Sequence, residues 1–157
     1  MRTLDETILL LEDDDNDAYL LGRAVKRLRP GSTLVVLHDG ESAIEYLAGR
    51  GAYADRQVHP LPSIVLLDVK TPRRSGLEVL QWLKRQPGLR RIPVVVLTAS
   101  VDPSSVRRAY ELGANSFLTK PLAYEDLTRL TEAVLEWWLD FSEPAEPTIA
   151  EGPLLAH

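Results

Sequence analysis

The residues of this chain that could do chemistry together stand where short apolar runs end. TILLL at Thr7 leads into EDDDND over residues 12–17, five acids in six residues, beginning with Glu12 and Asp13. Asp68 follows SIVLL, Thr98 and Ala99 follow or close PVVVL, and Lys120 follows NSFLT with Pro121 behind it. Two carboxylates about 4 Å apart repel by roughly 4 kcal/mol at an effective dielectric of 20. That is a large share of the roughly 5–15 kcal/mol that holds a domain folded. Such crowding persists most easily where a cation offsets it, and a few carboxylate oxygens with room left for water suit Mg²⁺. Asp14, Asp15 and Asp17 call for a structural reading, because they open a helical segment, where acids favour the macrodipole.

The apolar runs that position these residues recur with helical segments between them. TLVVL at Thr33 completes the set, and none of the five runs shows the polar alternation of a one-sided sheet. They read as strands buried on both faces, each followed by a helix. Five such units predict one doubly wound α/β domain over residues 1–141. The first helix is expected from Asn16 or Asp17 to Arg29, and the second from about Asp39-Gly40 to Gly49. The third runs from about Ser75-Gly76 to Pro87-Gly88. The fourth has Asp102 as N-cap, Pro103 in the first turn and Gly113 as a left-handed stop. The fifth is expected from Ala123 to Phe141, with Leu127, Leu130, Val134 and a Trp on one stripe. Gly49 to Pro62 reads as a long connection. Residues 142–157, with three prolines in EPAEPTIAEGPLLAH, read as a flexible tail. In an open sheet of this class ligands bind at the carboxyl ends of the strands, near the point where strand order reverses. Three carboxylates, one hydroxyl and one ammonium therefore converge on one mouth.

Composition narrows the function classes. The chain has 157 residues, a net charge of -5, no cysteine and three scattered histidines, His38, His59 and His157. Thiol chemistry, disulfides and a histidine metal cluster are excluded on these counts. The acidic balance argues against a general nucleic-acid binder. The paired Arg73-Arg74, Arg90-Arg91 and Arg107-Arg108 read as solvated loops and helix faces. The N-terminus has acids on both sides of a very short apolar run, unlike a signal peptide. No apolar segment approaches the roughly 20 residues of a bilayer span. A cytoplasmic protein without direct nucleic-acid or membrane contact is expected.

With LLLEDD, LLDVKTPRRSG, VVVLTAS and NSFLTKP in this order and spacing, the chain resembles the receiver domain of two-component response regulators over about Thr7 to Phe141. The aromatic before the lysine, the long loop before the third strand and the Trp-bearing last helix resemble the stand-alone regulators paired with bacterial phytochrome-type kinases. The resemblance implies a flavodoxin-like fold with strand order 2-1-3-4-5. It also implies a phosphorelay protein that takes a phosphoryl group from a sensor histidine kinase on Asp68 with Mg²⁺. Asp13 and Asp68 would bind the metal directly, Glu12 through water, and the backbone carbonyl of Lys70 would be a further ligand. Thr98, Lys120 and the backbone N–H of Ala99 would contact the phosphoryl group. Phe117 stands at the switch-aromatic position, and Pro121 would follow a cis peptide bond. Such a protein is a phosphoacceptor rather than an enzyme, beyond self-phosphorylation and self-dephosphorylation.

Two departures from the family pattern matter. Lys70 and Thr71 stand where Asn or Asp and then Met or Leu are usual, so an extra ammonium is expected at the mouth. Lys70 is the support for an alternative, a receiver-fold interaction module that accepts no phosphate. A remote alternative is an aspartyl-nucleophile phosphatase of the haloacid dehalogenase type, which expects D-x-D-x-T; DVKT lacks the second Asp. In the last helix Trp137 and Trp138 point about 100° apart. One is expected to pack on the domain and the other to face a partner, with Leu139 and Phe141 nearby, giving a homodimer through this helix.

Overall fold

The computed structural model describes residues 6–99 and 101–142. Each apolar run is a strand: β1 Thr7–Leu11, β2 Thr33–Leu37, β3 Ile64–Leu67, β4 Val94–Thr98 and β5 Ser116–Thr119. The helices are α1 Asp15–Leu28, α2 Gly40–Ala48, α3 Gly76–Arg85, α4 Pro103–Glu111 and α5 Tyr124–Leu135. All strand pairs are parallel and the order is β2-β1-β3-β4-β5.

The absence of polar alternation has a direct cause. Ile8, Leu10, Ile64, Leu66, Val95 and Leu97 face one core layer, with α1 and α5. Leu9, Leu11, Val65, Leu67, Val94 and Val96 face the other, with α2, α3 and α4. Both faces of the three inner strands are dry, so every position is apolar except Thr7 at the start of β1 and Thr98 at the end of β4. β2 and β5 are edge strands and are only partly covered, so the expectation of burial on both faces holds for the inner three alone.

Short polar side chains start the helices. Asp14 caps α1, its carboxylate accepting the Asp17 N–H at 2.8 Å. The helix therefore opens at Asp15, one residue before the expected Asn16. Asp39 and Asp102 cap α2 and α4, and Ser75 forms a capping box with Glu78 at α3. Gly113, at φ 106°, stops α4 as anticipated. The last helix departs from its expected form: α5 ends at Leu135 and continues as a wider π-helical turn over Glu136–Phe141. Leu135 and Leu139 are both fully buried, four residues apart on the stripe that faces the core.

Two anchoring devices were not anticipated. Arg56, in the long connection before β3, donates to the carbonyls of Tyr46, Leu47 and His59 at 2.7–3.2 Å, closing the end of α2. The rings of Tyr46, Tyr53 and His59 pack together beneath it. This connection is a built structure rather than a loose loop. Arg29, just past α1, makes two bidentate pairs, with Glu6 at 2.7 and 2.9 Å and with Asp140 at 2.9 and 3.0 Å. It joins the start of β1 to the terminal turn. Of the expected tail over residues 142–157, all but Ser142 lie outside the described residues. No helix among the described residues is long and apolar enough to cross a membrane.

Glu6 is nearly buried, whereas Asp140 is largely open to solvent. Arg29→Met would leave the Glu6 charge unpaired at the sheet and lower unfolding free energy by about 2–3 kcal/mol. Asp140→Asn should lower it by less than about 1 kcal/mol. Urea denaturation of both variants checks the order, which equal losses would contradict.

Candidate functional site

Parallel register brings the chemistry together. Leu11 lies beside both Leu37 and Leu67, and Thr98 lies beside Thr119. The residues that follow therefore meet at one edge of the sheet. The ladder runs one step further through the Glu12 N–H to Leu37, the Asp68 N–H to Leu11 and the Lys120 N–H to Thr98. Glu12, Asp68, Thr98 and Lys120 are all buried despite their polarity. Buried groups of this kind persist only when they satisfy one another.

Lys120 does most of the satisfying. Its ammonium donates to Glu12 Oε1 at 2.5 Å, Asp17 Oδ2 at 2.7 Å and Asp68 Oδ2 at 3.1 Å. Asp17 therefore belongs to the site, beyond the helix-dipole role its position suggests. The other Asp68 oxygen accepts the Thr98 hydroxyl at 2.7 Å and the Lys70 N–H at 3.3 Å. Asp13 is exposed at the rim, and one oxygen each from Glu12, Asp13 and Asp68 lie within 4.8 Å of one another. That spacing and an all-oxygen donor set fit a hard divalent cation that keeps several waters. Ala99 and the Lys70 side chain are exposed at the mouth.

The loop from β3 to α3 is held tightly. The Gly76 N–H donates to the Val69 carbonyl at 2.9 Å. A Cβ at residue 76 would lie 1.9 Å from the Asp68 carbonyl oxygen, so glycine alone permits this approach. Gly40 is in the same position against Arg74, where a Cβ would lie 2.1 Å from the carbonyl oxygen. Arg73 and Arg74 adopt positive φ, 49° and 91°, uncommon for side chains with a Cβ. Arg74 is half-buried and bonds Glu41 at 2.9 Å, which corrects its reading as a solvated loop residue. Arg73, Arg90, Arg91, Arg107 and Arg108 are exposed as expected.

Two further expectations meet the structure at β5. Phe117 is half-buried against the core, and its N–H donates to the Tyr110 hydroxyl at 3.0 Å, tying α4 to β5. The bond before Pro121 is trans, because no cis peptide occurs among the described residues. The cis expectation is thus overturned in favour of the intrinsic trans preference of X–Pro bonds. At the far end of the last helix, Trp138 packs on the core while Trp137 and Phe141 are 61% and 70% exposed. Leu139 is buried within its own domain and faces no partner.

Electrostatics follow from burial and crowding. Burial pushes the Glu12 carboxyl up to about 7, with Asp68 adding to the rise and Lys120 opposing it. Burial works against the Lys120 charge, but its bonds to Asp17 and Glu12 and the nearby Asp68 outweigh that and hold it above the usual lysine range. Between about pH 4.5 and 7 folded Glu12 keeps a proton that the unfolded chain has lost. Its contribution to stability therefore falls as pH rises through that window. A metal at this site must displace the same proton, so divalent-cation affinity should fall from about pH 8 to about pH 6. Calorimetric titration in two buffers of different ionisation enthalpy would read both the loss and the proton release; pH-independent binding would contradict it. Lys120→Met should leave Glu12 and Asp68 uncompensated and lower stability at neutral pH by about 3–5 kcal/mol. Thermal melts should show partial recovery at lower pH or with a millimolar divalent cation.

Known proteins share this architecture. The response regulator receiver domain family model matches residues 8–132. A probable methanogenesis regulatory protein of Methanothrix harundinacea, FilR2, is 43% identical over 143 residues, covering 89% of this chain and 88% of its own. Response regulator Rcp1 of Synechocystis is 37% identical over 135 residues, covering 86% of this chain and 90% of its own. A crystal structure of the phosphorylated cyanobacterial phytochrome response regulator RcpA superposes with a TM-score of 0.84 at 32% identity, over 89% of this chain and 98% of that one. With the family match spanning most of the chain and the acids, hydroxyl and ammonium gathered at the strand ends, this protein belongs to the response regulator receiver domain family.

Proposed function

We propose that this protein is a stand-alone, cytoplasmic response regulator in which Asp68 accepts a phosphoryl group from a sensor histidine kinase of the phytochrome-linked kind. The observation that carries this reading is the placement of Asp68. It is a mostly buried carboxylate at a strand end, held by Thr98, Lys70 and Lys120, with two further acids within metal-bridging distance. The likeness to RcpA, named as a phytochrome response regulator, and to a Mn²⁺-bound structure of Rcp1, with a TM-score of 0.81, supports the partner and the metal class.

The chemistry follows from these groups. The Asp68 carboxylate is the nucleophile, and the phosphorus–nitrogen bond of a phosphohistidine breaks as the phosphorus–oxygen bond forms. Little covalent work remains for the protein, so positioning and charge compensation dominate. Asp13, Asp68, the Lys70 carbonyl and, through water, Glu12 would hold Mg²⁺. Bound there, the ion would offset charge on the transferring phosphoryl oxygens. Thr98 and Lys120 already reach the acceptor carboxylate, so either can pass to a phosphoryl oxygen by a small rotation. The exposed Ala99 leaves its backbone N–H room to do the same. Movement of Thr98 would change the space beside Phe117, and the Tyr110 bond to the Phe117 N–H would carry that change to α4.

Trp137 and Phe141 lie one turn apart and exposed on the terminal turn, an apolar pair suited to a second copy of the chain. Trp137→Glu should shift a dimer to monomer in sedimentation equilibrium without changing the fold; an unchanged mass distribution would remove this interface.

Intact mass after incubation with a small acyl-phosphate donor tests the acceptor. One Mg²⁺-dependent phosphoryl adduct is expected, absent from Asp68→Asn. An adduct that persists in that variant would move the acceptor elsewhere. The exposed Lys70 ammonium adds positive charge beside the acceptor, so Lys70→Asn should change the rates of gain and loss of the adduct. If the parent gains none and Lys70→Asn does, Lys70 has made this a module that rejects phosphate.

A further inference from the structure

We propose that Asp17 is a positioning residue that holds the Lys120 ammonium away from Asp68 and so restrains phosphoryl acceptance. The inference rests on Asp68 being the acceptor. An ammonium has three N–H donors, and Lys120 has committed one each to Glu12, Asp17 and Asp68. The contacts are unequal. The bonds to Glu12 and Asp17 are 2.5 and 2.7 Å, whereas the bond to Asp68 is 3.1 Å. The ammonium thus sits closer to Glu12 and Asp17 than to the carboxylate it must serve.

Asp17 differs from the other two acids in a way that matters once a metal arrives. Glu12 and Asp68 belong to the group of oxygens that can share a cation, with Asp13; Asp17 does not. Binding a cation draws charge from Glu12 and Asp68 and leaves Asp17 as the undiluted partner of Lys120. To bond a phosphoryl oxygen on Asp68, Lys120 must move an N–H toward that oxygen against the Asp17 charge. Asp17 also adds its own negative charge near the incoming group. Both effects oppose acceptance, and both vanish when the Asp17 charge is removed.

The position of Asp17 is independent of its side chain. Its backbone N–H is the group that Asp14 caps, at 2.8 Å, and any residue there keeps that bond. The side chain is 31% exposed, so its replacement opens no sealed cavity. Asp17→Asn and Asp17→Ala should therefore leave α1 and the fold intact.

Beryllofluoride, which mimics a phosphoryl group on a carboxylate, reads the effect without turnover. Its apparent affinity in the presence of Mg²⁺ should rise about 3- to 10-fold in Asp17→Asn and Asp17→Ala, and Asp17→Glu should return toward the parent. Mg²⁺ affinity measured without beryllofluoride should change by less than about 2-fold, separating an effect on Lys120 from one on the metal. Acceptance from an acyl-phosphate donor should quicken in parallel. Unchanged or weakened beryllofluoride affinity in both variants, with a parent that binds it, overturns the role of Asp17 alone. A parent that binds no beryllofluoride and gains no phosphoryl adduct overturns the acceptor reading, and this inference with it.

Discussion

One ammonium permits this site to exist. Glu12 and Asp68 come from neighbouring strands and Asp17 from the first turn of α1, and all three converge on Lys120. Without that charge, two acids would be buried side by side at the carboxyl edge of the sheet, with burial itself already driving Glu12 toward its neutral form. Buried ion clusters rarely add net stability over apolar packing, because desolvation consumes most of the attraction. The cluster is better understood as a reservoir of unscreened charge with room for one more cation, in which a newly attached anion must redistribute existing bonds.

The sheet makes that arrangement rigid. Backbone ladders continue past the last paired residues of β1, β3 and β5, so Glu12, Asp68 and Lys120 are fixed by hydrogen bonds on the main chain. Apolar side chains on both faces of the inner strands hold those ladders. Changes of charge at the mouth are therefore absorbed by side-chain rotation and by the loops, and the strands transmit little. The Thr98 hydroxyl on Asp68 and the Tyr110–Phe117 link are the contacts placed to respond.

Local pattern carried the fold and most of the site. A strand dry on both faces leaves a continuous apolar run, and the first polar residue after it marks the sheet edge. That is why Glu12, Asp68, Thr98 and Lys120 could be picked out together. Interactions between distant segments left no comparable trace. Asp17 looked like an ordinary acid in a helix's first turn, and its partner is 103 residues away. Arg29 looked like a helix end, yet it joins Asp140 across 111 residues. Arg56 lay in a segment that reads only as a long connection. The trans bond before Pro121 shows the opposite limit, where a family pattern suggested a geometry that this chain does not adopt.

The two consecutive arginines after Asp68 have one more consequence. Glycine would adopt their backbone conformation without strain, whereas each of these residues is held there at a cost of about 1–3 kcal/mol. What holds them includes a contact from Arg73 to Asp39 and a bond from Arg74 to Glu41 on α2, together with the Thr71 hydroxyl on the Arg74 carbonyl. The shape of the segment that presents the Lys70 carbonyl is thus secured partly by exposed and half-exposed charge. Dissolved ions compete with such pairs. Ionic strength consequently becomes a variable of the site itself, acting on loop geometry as well as on the encounter with a charged partner.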